Sequence, residues 1–525
     1  MISLGCPKNL VDSDNLTRRL TTSGFSYVDN LEAADILLIN TCGFIEDAKK
    51  ESIGEILKLA ELKKGQEKIQ DTRCTIQDKK NHTSCIVHRA SKSDSKQLIV
   101  FGCLAKRYGD ELIKEIPDIN AIFGVGEEDK IVEYCKKLTR SWVIGNGLLE
   151  KTKIPITHHP SPITSYAYLK ISEGCSKKCS YCVIPSIRGR YRSSNPDDIL
   201  KEAERLIKDG ARELILVGQD TACYGKDLDD YDIADLLKDL CSIAGDFWIR
   251  LLYAYPSSIK DPLLSVIAEE DKICKYLDIP LQHSEDRILR LMKRSGTRKG
   301  YLNLIEKIRD TIPDIILRTT FIVGFPTETE EEFNSLIDFI EEVKFDRLGA
   351  FRYSKEDGTS AAKIKGQISE VVKKKRVEEL MNRQSNISFK KNRELIGKKF
   401  RAIIDELIHG IALGRLYSHA PEIDGVVITT MQDSRYTMQD NQKKMHDTRY
   451  TIQDKDNTPL NLPFVRGELN GGIMNHASCI MHQSSIINHE SCIMHRESAP
   501  VKVGDFVTVR ITDAYDYDLK GIIVG

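Results

Sequence analysis

The sequence predicts an α/β protein in three parts: an N-terminal parallel α/β domain, a central open (β/α)6 partial barrel, and a small C-terminal antiparallel β-barrel. Three observations carry this reading. Apolar strand-like runs alternate with amphipathic helical stretches up to about residue 140, and the alternation recurs six times between 165 and 385. Beyond 386 the periodic segments are all short and strand-like. The expected divisions are 1–140 with an insert at 66–96, a Pro-containing link over 141–164, then 165–385, and 386–525 with an insert at 430–499.

In the first part, 35–42 and 97–103 read as strands that end in cysteine, and 2–6 does the same if a strand begins there. Helices are expected over 13–23, 46–64 and 105–116, so the sheet is parallel and covered by helices. Parallel sheets bind ligands beyond the carboxyl ends of their strands. Cys6, Cys42 and Cys103 all stand there, which makes them candidates for one shared metal cluster. Read without that strand context, three such distant cysteines are ordinary buried thiols. Only five residues precede Cys6, so the edge strand is expected to be short.

The central part has strand patterns at 166–172, 213–218, 248–253, 276–281, 316–323 and 347–352, with amphipathic stretches such as 197–209, 232–243 and 328–343 between them. Six βα units make a partial TIM barrel, whose chemistry belongs at the carboxyl ends of its strands. Directly after the first of these strands comes Cys175-Ser-Lys-Lys-Cys179-Ser-Tyr181-Cys182. Three thiolates at this spacing can hold three irons of a [4Fe–4S] cluster and leave the fourth open. A closed zinc site would need a fourth ligand, and no Cys or His follows closely. Gln219 and Asp220, Gln282 and His283, and the stretch Gly324 to Glu328 bring polar residues to other strand ends in otherwise apolar contexts. For Asp220 and His283, capping or loop hydrogen bonds are an equal reading. Lys355 and Arg190 read as surface charges.

In the C-terminal part, 371–392 reads as a connecting helix whose charge run is solvated. Short strands at 400–404, 425–428, 505–511 and 519–524 make the barrel once the second insert is set aside. Over 389–429 and 500–525 there are ten Lys/Arg and nine Asp/Glu, a balance that suits a basic protein partner better than a polyanion.

The whole chain is 41% hydrophobic and 30% charged with a net charge of −1, which argues against wholesale electrostatic capture of nucleic acid. No apolar run approaches the ~20 residues that span a bilayer and no leader pattern opens the chain, so the expected location is cytoplasmic, without membrane contact. In that compartment the 14 cysteines are ligands, nucleophiles or buried thiols, not disulfides.

The two inserts share words. Asp71-Thr-Arg-Cys-Thr-Ile-Gln-Asp78 returns as Asp447-Thr-Arg-Tyr-Thr-Ile-Gln-Asp454, and Asn-His-x-Ser-Cys-Ile-(Met/Val)-His occurs at 81, 475 and 488. Neither word has a hydrophobic face to stack, so a solenoid is not expected. A codon choice exists for Met445-His-Asp-Thr-Arg449 whose reverse complement reads Ser-Cys-Ile-Met-His, the word at 478–482. The reading is translated inverted-repeat DNA lodged in loops, disordered and tolerated because loop closure entropy grows slowly with length. Non-complementary codons in the gene would refute it. Zinc binding by Cys74, Cys85, His82 and His88, or by Cys479 and Cys492 with their histidines, is the weaker alternative.

The Cys175–Cys182 loop resembles that of the radical S-adenosylmethionine (SAM) enzymes, with Tyr181 in the aromatic place. Ser3-Leu-Gly-Cys-Pro-Lys-Asn-Leu-Val-Asp-Ser13 and Asn40-Thr-Cys-Gly-Phe-Ile45 resemble the opening motifs of the methylthiotransferases, in particular the RimO-type branch that modifies an aspartate of a small-subunit ribosomal protein. The tRNA-modifying branch has Gln-Met-Asn where this chain has Pro7-Lys8-Asn9. Residues 279–286 and 318–326 also match family motifs, and the last barrel, ending in 514–521, resembles a TRAM domain.

The resemblance implies two [4Fe–4S] clusters, one on Cys175, Cys179 and Cys182 that binds and cleaves SAM, the other on Cys6, Cys42 and Cys103 that presents sulfur. It implies SAM contacts at Tyr181, Gly218 and Gln219, an electron donor, a sulfur source and a ribosomal protein substrate. The implied reaction places a methylthio group on the β-carbon of an aspartate. The rival readings are the same reaction on tRNA adenosine, and a non-catalytic Fe–S or zinc module of ribosome assembly.

Overall fold

The computed structural model of the chain describes residues 1–72, 96–146, 165–408, 410–431 and 501–524. The cores of both inserts and most of the link lie outside these residues, as do the cysteines and histidines weighed there as zinc ligands.

Strands β1 (Ile2–Ser3), β2 (Ile36–Thr41), β3 (Gln97–Gly102) and β4 (Ala121–Phe123) form a parallel sheet in sequence order. Helices α1 (Pro7–Thr22), α2 (Glu46–Thr72), α3 (Cys103–Glu115) and α4 (Glu128–Asn146) connect and follow them. Both faces of β2 and β3 are covered, which is why their sequences are unbroken apolar runs instead of alternating ones. The edge strand is short, pairing only Ile2 with Ile39 and Ser3 with Asn40. Strand β4 is three residues long, too short to show a period, and sequence reading missed it. Helix α1 begins at Pro7, ahead of the expected residue 13, because proline presets the first helical turn. Its buried residues include Lys8, Asn9, Asp12 and Ser13, so its inward face lacks the apolar signature that marks a helix.

The central sheet contains β5 (Tyr166–Lys170), with β6 (Ser172–Glu173) and β7 (Arg192–Ser193) forming a separate two-stranded ribbon that brackets the cysteine loop. Strands β8 (Glu213–Val217), β9 (Trp248–Leu251), β10 (Ile273–Gln282), β11 (Ile316–Val323) and β12 (Arg347–Arg352) complete it. The order β12-β11-β10-β9-β8-β5, parallel throughout, is the open six-stranded barrel. The helices between are α5 (Ile184–Arg188), α6 (Pro196–Lys208), α7 (Ile233–Ser242), α8 (Asp261–Glu269), α9 (Asp286–Leu291), α10 (Arg298–Thr311) and α11 (Glu330–Val343). Asn195 caps α6, and capping boxes start α7 at Asp232 and α11 at Thr329. One apolar core runs through these elements from Leu169 to Leu380.

Helix α12 (Glu370–Arg393) follows as the expected connecting helix with most of its charges exposed, and the expectation is corrected at two of them. Lys373 and Arg376 are buried. Lys373 Nζ donates to Tyr353 O at 2.9 Å, and Arg376 Nη1 to Glu328 Oε1 at 2.8 Å. These two charges are consumed by partners at the end of the barrel, which no local spacing reveals, while Lys374, Lys375, Glu378 and Arg383 face outward.

The chain divides into compact units Met1–Ser388 and Phe389–Gly525. The second contains β13 (Lys399–Ile408), β14 (Ile411–Leu416), β15 (Val427–Met431), β16 (Phe506–Ala514) and β17 (Leu519–Ile523), closed as β13-β14-β15-β17-β16. The small antiparallel barrel is as expected in four of its five pairings; the fifth, β15 with β17, is parallel, Val427 opposite Leu519. A closed ring with an odd number of strands cannot alternate direction all the way round, so one neighbouring pair must run the same way.

Candidate active site

Cys6, Cys42 and Cys103 follow neighbouring strands β1, β2 and β3 on the carboxyl side of the sheet. Cys6 is the N-cap residue of α1, and Cys103 is the first residue of α3. Gly102 turns the chain into α3 at φ +98°, and a Cβ there would lie 2.2 Å from Asn40 Oδ1, so only glycine lets β3 hand its cysteine to the helix this way. Gly5, at φ +93°, brings its Cα against Cys42: a Cβ would stand 2.9 Å from Cys42 Sγ. Ser52 Oγ holds the Cys42 backbone, accepting from its N at 3.0 Å and donating to its O at 3.0 Å. Burial pushes the Cys42 thiol up to about 12, with Cys6 and Cys103 adding to the rise. Burial likewise raises Cys103 to about 11 against the pull of Arg188. The three thiols are therefore electrostatic neighbours, although 97 residues of sequence separate the first from the last.

The barrel trio stands on the loop after β5. Cys175 N donates to Gly189 O at 3.0 Å, and Cys182 N to Cys179 O at 3.2 Å, folding the loop back on itself. Cys182 Sγ accepts from Ile184 N at 3.4 Å. Burial raises Cys182 to about 12, reinforced by Cys179 and Cys175, and burial raises Cys175 as well. Tyr181 packs beside Phe325 and Tyr353, and Arg294 Nη1 reaches its Oη at 3.3 Å and Cys179 Sγ at 3.9 Å. Arg294 also donates to Pro280 O and stacks over the Tyr255 ring at 4.4 Å. This arginine, 112 residues beyond Cys182, was not found from the sequence; a buried Arg after an amphipathic run leaves no local signal.

The polar positions at the strand ends divide into two kinds. Asp220 is consumed by its own loops, accepting from Tyr255 N at 3.1 Å and Ser258 Oγ at 2.7 Å. His283 is fully buried, its Nδ1 accepts from Glu285 N at 3.0 Å, and its Nε2 lies 3.8 Å from Glu328 Oε2. Burial lowers His283 to about 3 and raises Glu328 to about 7 in spite of Arg376. The other kind is unspent. Gln219 Oε1, Gln282 Oε1 and Ser284 Oγ are buried without a hydrogen-bond partner among the described residues. Gln282 is held at φ +73°, a strained backbone for a residue with a Cβ. Gly218 passes so close to Ser172 that a Cβ would meet its Oγ at 2.4 Å.

Between the two trios lies a polar seam that sequence reading also missed. Arg188 Nη1 contacts Asp12 Oδ2 at 3.2 Å and Glu173 Oε1 at 3.0 Å, and Nη2 donates to Asn9 Oδ1 at 2.6 Å. Lys170 pairs with Asp12 and, at 3.0 Å, with Glu173. Burial of Glu173 is outweighed by Lys170 and Arg188, which hold its carboxyl down at about 2. Lys8 Nζ donates to Gly218 O at 3.0 Å. On a second side, buried Glu356 accepts from Arg107 at 2.9 Å and pairs with Lys49 at 3.2 Å. These ties make the N-terminal sheet and the barrel one unit.

Each trio offers soft sulfur donors only, in the reduced state, the donor set of an iron–sulfur cluster. Among the described residues no three His, Cys, Asp or Glu side chains converge on a single metal ion. In a cubane, iron and sulfide alternate at the corners and each thiolate would bind a different iron, so the thiolates stand farther apart than around one ion. A bound cation would also reverse the burial penalty that keeps these thiols protonated. The orphaned oxygens at the strand ends of the barrel are what a polar ligand such as SAM would satisfy. The residues fit both groups.

Residues 169–340 match a family model described as the radical SAM superfamily, 1–89 one described as uncharacterized protein family UPF0004, and 396–442 a TRAM domain. Barrel, cysteine loop and family match together define a radical SAM enzyme. A ribosomal protein uS12 methylthiotransferase RimO from Thermodesulfovibrio yellowstonii is 48% identical over 524 residues, spanning 100% of this chain and 99% of that relative. Another RimO, from Thermoanaerobacter sp., is 40% identical over 527 residues, spanning 99% and 98%. The chain belongs to the RimO family of radical SAM methylthiotransferases. Among solved structures, the radical SAM methyltransferase TsrM from Kitasatospora setae, with cobalamin and a [4Fe–4S] cluster bound, is 11% identical at a TM-score of 0.47, covering 81% of this chain and 79% of that one. Among the described residues no helix is long and apolar enough to cross a membrane.

Proposed function

We propose that this chain places a methylthio group on the β-carbon of an aspartate in the ribosomal protein uS12, using two [4Fe–4S] clusters and SAM. The observation that carries the reading is the presence of two separate thiol trios in one compact unit, each at the carboxyl ends of parallel strands. Cys175, Cys179 and Cys182 would hold the cluster that binds SAM, and Cys6, Cys42 and Cys103 the one that presents sulfur. When bound, the clusters and SAM supply an electron, a hydrogen-abstracting radical and the sulfur and methyl to be transferred. The names of the relatives support a ribosomal protein substrate over tRNA. An electron donor, a sulfur source and a cytoplasmic location complete the reading.

The chain's own residues position and exclude. Ser52 fixes the Cys42 backbone, and the seam of Arg188, Asp12, Glu173 and Lys170 ties the helix after Cys6 to the loop that carries the barrel trio. Gln219, Gln282 and Ser284 offer oxygen atoms to SAM, Gly218 permits close approach, and Tyr181 packs behind the barrel trio. The division into 1–140, a link at 141–164, 165–385 and 386–525 assigns sulfur donation to the first part, SAM cleavage to the third and substrate grip to the last. The test is anaerobic incubation of reconstituted enzyme with uS12, SAM, reductant and sulfide, read by mass spectrometry. uS12 should gain one methylthio group in place of hydrogen, and the enzyme should carry roughly eight irons per chain. Modification of tRNA instead, or roughly four irons, overturns the reading.

A further inference from the structure

Lys8 is a buried cation of the seam with no carboxylate against it among the described residues. It is 8% exposed and lies on α1, two residues after Cys6. Its Nζ crosses to the barrel, donating to Gly218 O at 3.0 Å and standing 4.7 Å from the centre of the Tyr253 ring. Tyr253 itself is held at φ +62° at the end of β9, so the ring's place is set by a strained backbone. Every neighbouring carboxylate has other partners: Asp12 and Glu173 answer Arg188 and Lys170, and Asp220 answers Ser258, Tyr255 and, at 3.6 Å, Lys177. Among the described residues no ion pair is formed by Lys8. An ammonium carries three donors, and burying it without an anion is costly unless a ligand brings one.

We propose that Lys8 binds the carboxylate of the side chain being modified, and so sets the enzyme's preference for an acidic residue. The inference rests on the functional reading above. Under it the reacting carbon must lie between the two trios, and its carboxylate is one bond away. Lys8 enters from the sulfur-presenting side and ends at the barrel, so its charge falls where that carboxylate must be. SAM also has a carboxylate; the orphaned oxygens of Gln219 and Gln282 would accept from SAM's ammonium and hydroxyl groups, and the separate KM for SAM tells the two carboxylates apart.

The test compares wild type, Lys8→Met and Lys8→Arg on a uS12-derived peptide and on the same peptide with asparagine in place of the target aspartate. Wild type should prefer the aspartate peptide by about ten- to a hundredfold in kcat/KM, the loss expected for one charged hydrogen bond. Lys8→Met should bring that preference close to one, mainly through KM for the peptide, and Lys8→Arg should restore most of it. Iron content and circular dichroism check that each variant is assembled, and peptide binding to wild type alone gives a measurement that needs no variant. Equal binding of the two peptides by wild type overturns the assignment. So does a preference unchanged in Lys8→Met, or a rise confined to the KM for SAM. Absence of any wild-type turnover of uS12 overturns the functional reading and this assignment together, whereas turnover with an unchanged preference overturns the assignment alone.

Discussion

Arg188 Nη2 donates to Asn9 Oδ1 at 2.6 Å, joining a barrel helix to the turn that carries Cys6. The same guanidinium binds Asp12 and Glu173, and its side chain is 1% exposed. A planar, always-charged fork with five donors serves three partners better than a lysine would.

Arg188→Met should therefore leave Asp12 and Glu173 buried with Lys170 alone. The expected loss is about 3–5 kcal/mol, read by urea denaturation. Because Arg188 also opposes the rise of the Cys103 thiol, iron should be lost selectively, leaving SAM cleavage but little sulfur transfer. Full iron content and unchanged stability in this variant would refute the seam's role.

The two trios should separate by function. Cys179→Ala should abolish reductive cleavage of SAM to 5′-deoxyadenosine, whereas Cys42→Ala should keep cleavage and lose methylthiolation. Product analysis by liquid chromatography reads both, and methylthiolation by Cys42→Ala would remove that cysteine from its assigned place.

Arg294 places a fixed positive charge beside Cys179 Sγ. Removing it in Arg294→Gln withdraws stabilisation from the more negative, reduced cluster, so the midpoint potential should fall. A change of about 1 kcal/mol corresponds to roughly 40 mV for a one-electron couple. Anaerobic redox titration followed by electron paramagnetic resonance measures it; a potential that rises or stays fixed counts against the assignment.

His283 and Glu328 act on stability in opposite directions as pH changes. His283 is lowered to about 3, so its contribution is present above its ordinary value and is lost as pH falls through 6.5 toward 3. Glu328 is raised to about 7, so its contribution is present below its ordinary value and is lost as pH rises from 4.5 through 7. The two slopes offset each other between about 4.5 and 6.5. Glu328→Gln removes one of them, and its Tm relative to wild type should climb as pH is raised from 5 to about 8. A difference in Tm that does not vary with pH would contradict the burial of an ionisable Glu328.

The sequence alone determined the two parallel sheets, the strand ends at which chemistry could occur, and the spacing of the three thiols on one barrel loop. Those features are local: a period of two or 3.6, or thiols three and four residues apart on one loop. Strands β11 and β12 were legible to the residue for this reason. Only the tertiary structure decided that Cys6, Cys42 and Cys103 stand at one edge of the sheet, because that depends on three parallel strands lying side by side in sequence order. The same holds for Lys8 at Gly218, Arg188 at Asn9, Arg294 at Cys179 and Arg376 at Glu328, and for the parallel pairing that closes the last barrel. Such contacts join residues tens to hundreds of positions apart, and a buried charge satisfied by a distant partner has the same appearance in sequence as one that faces water.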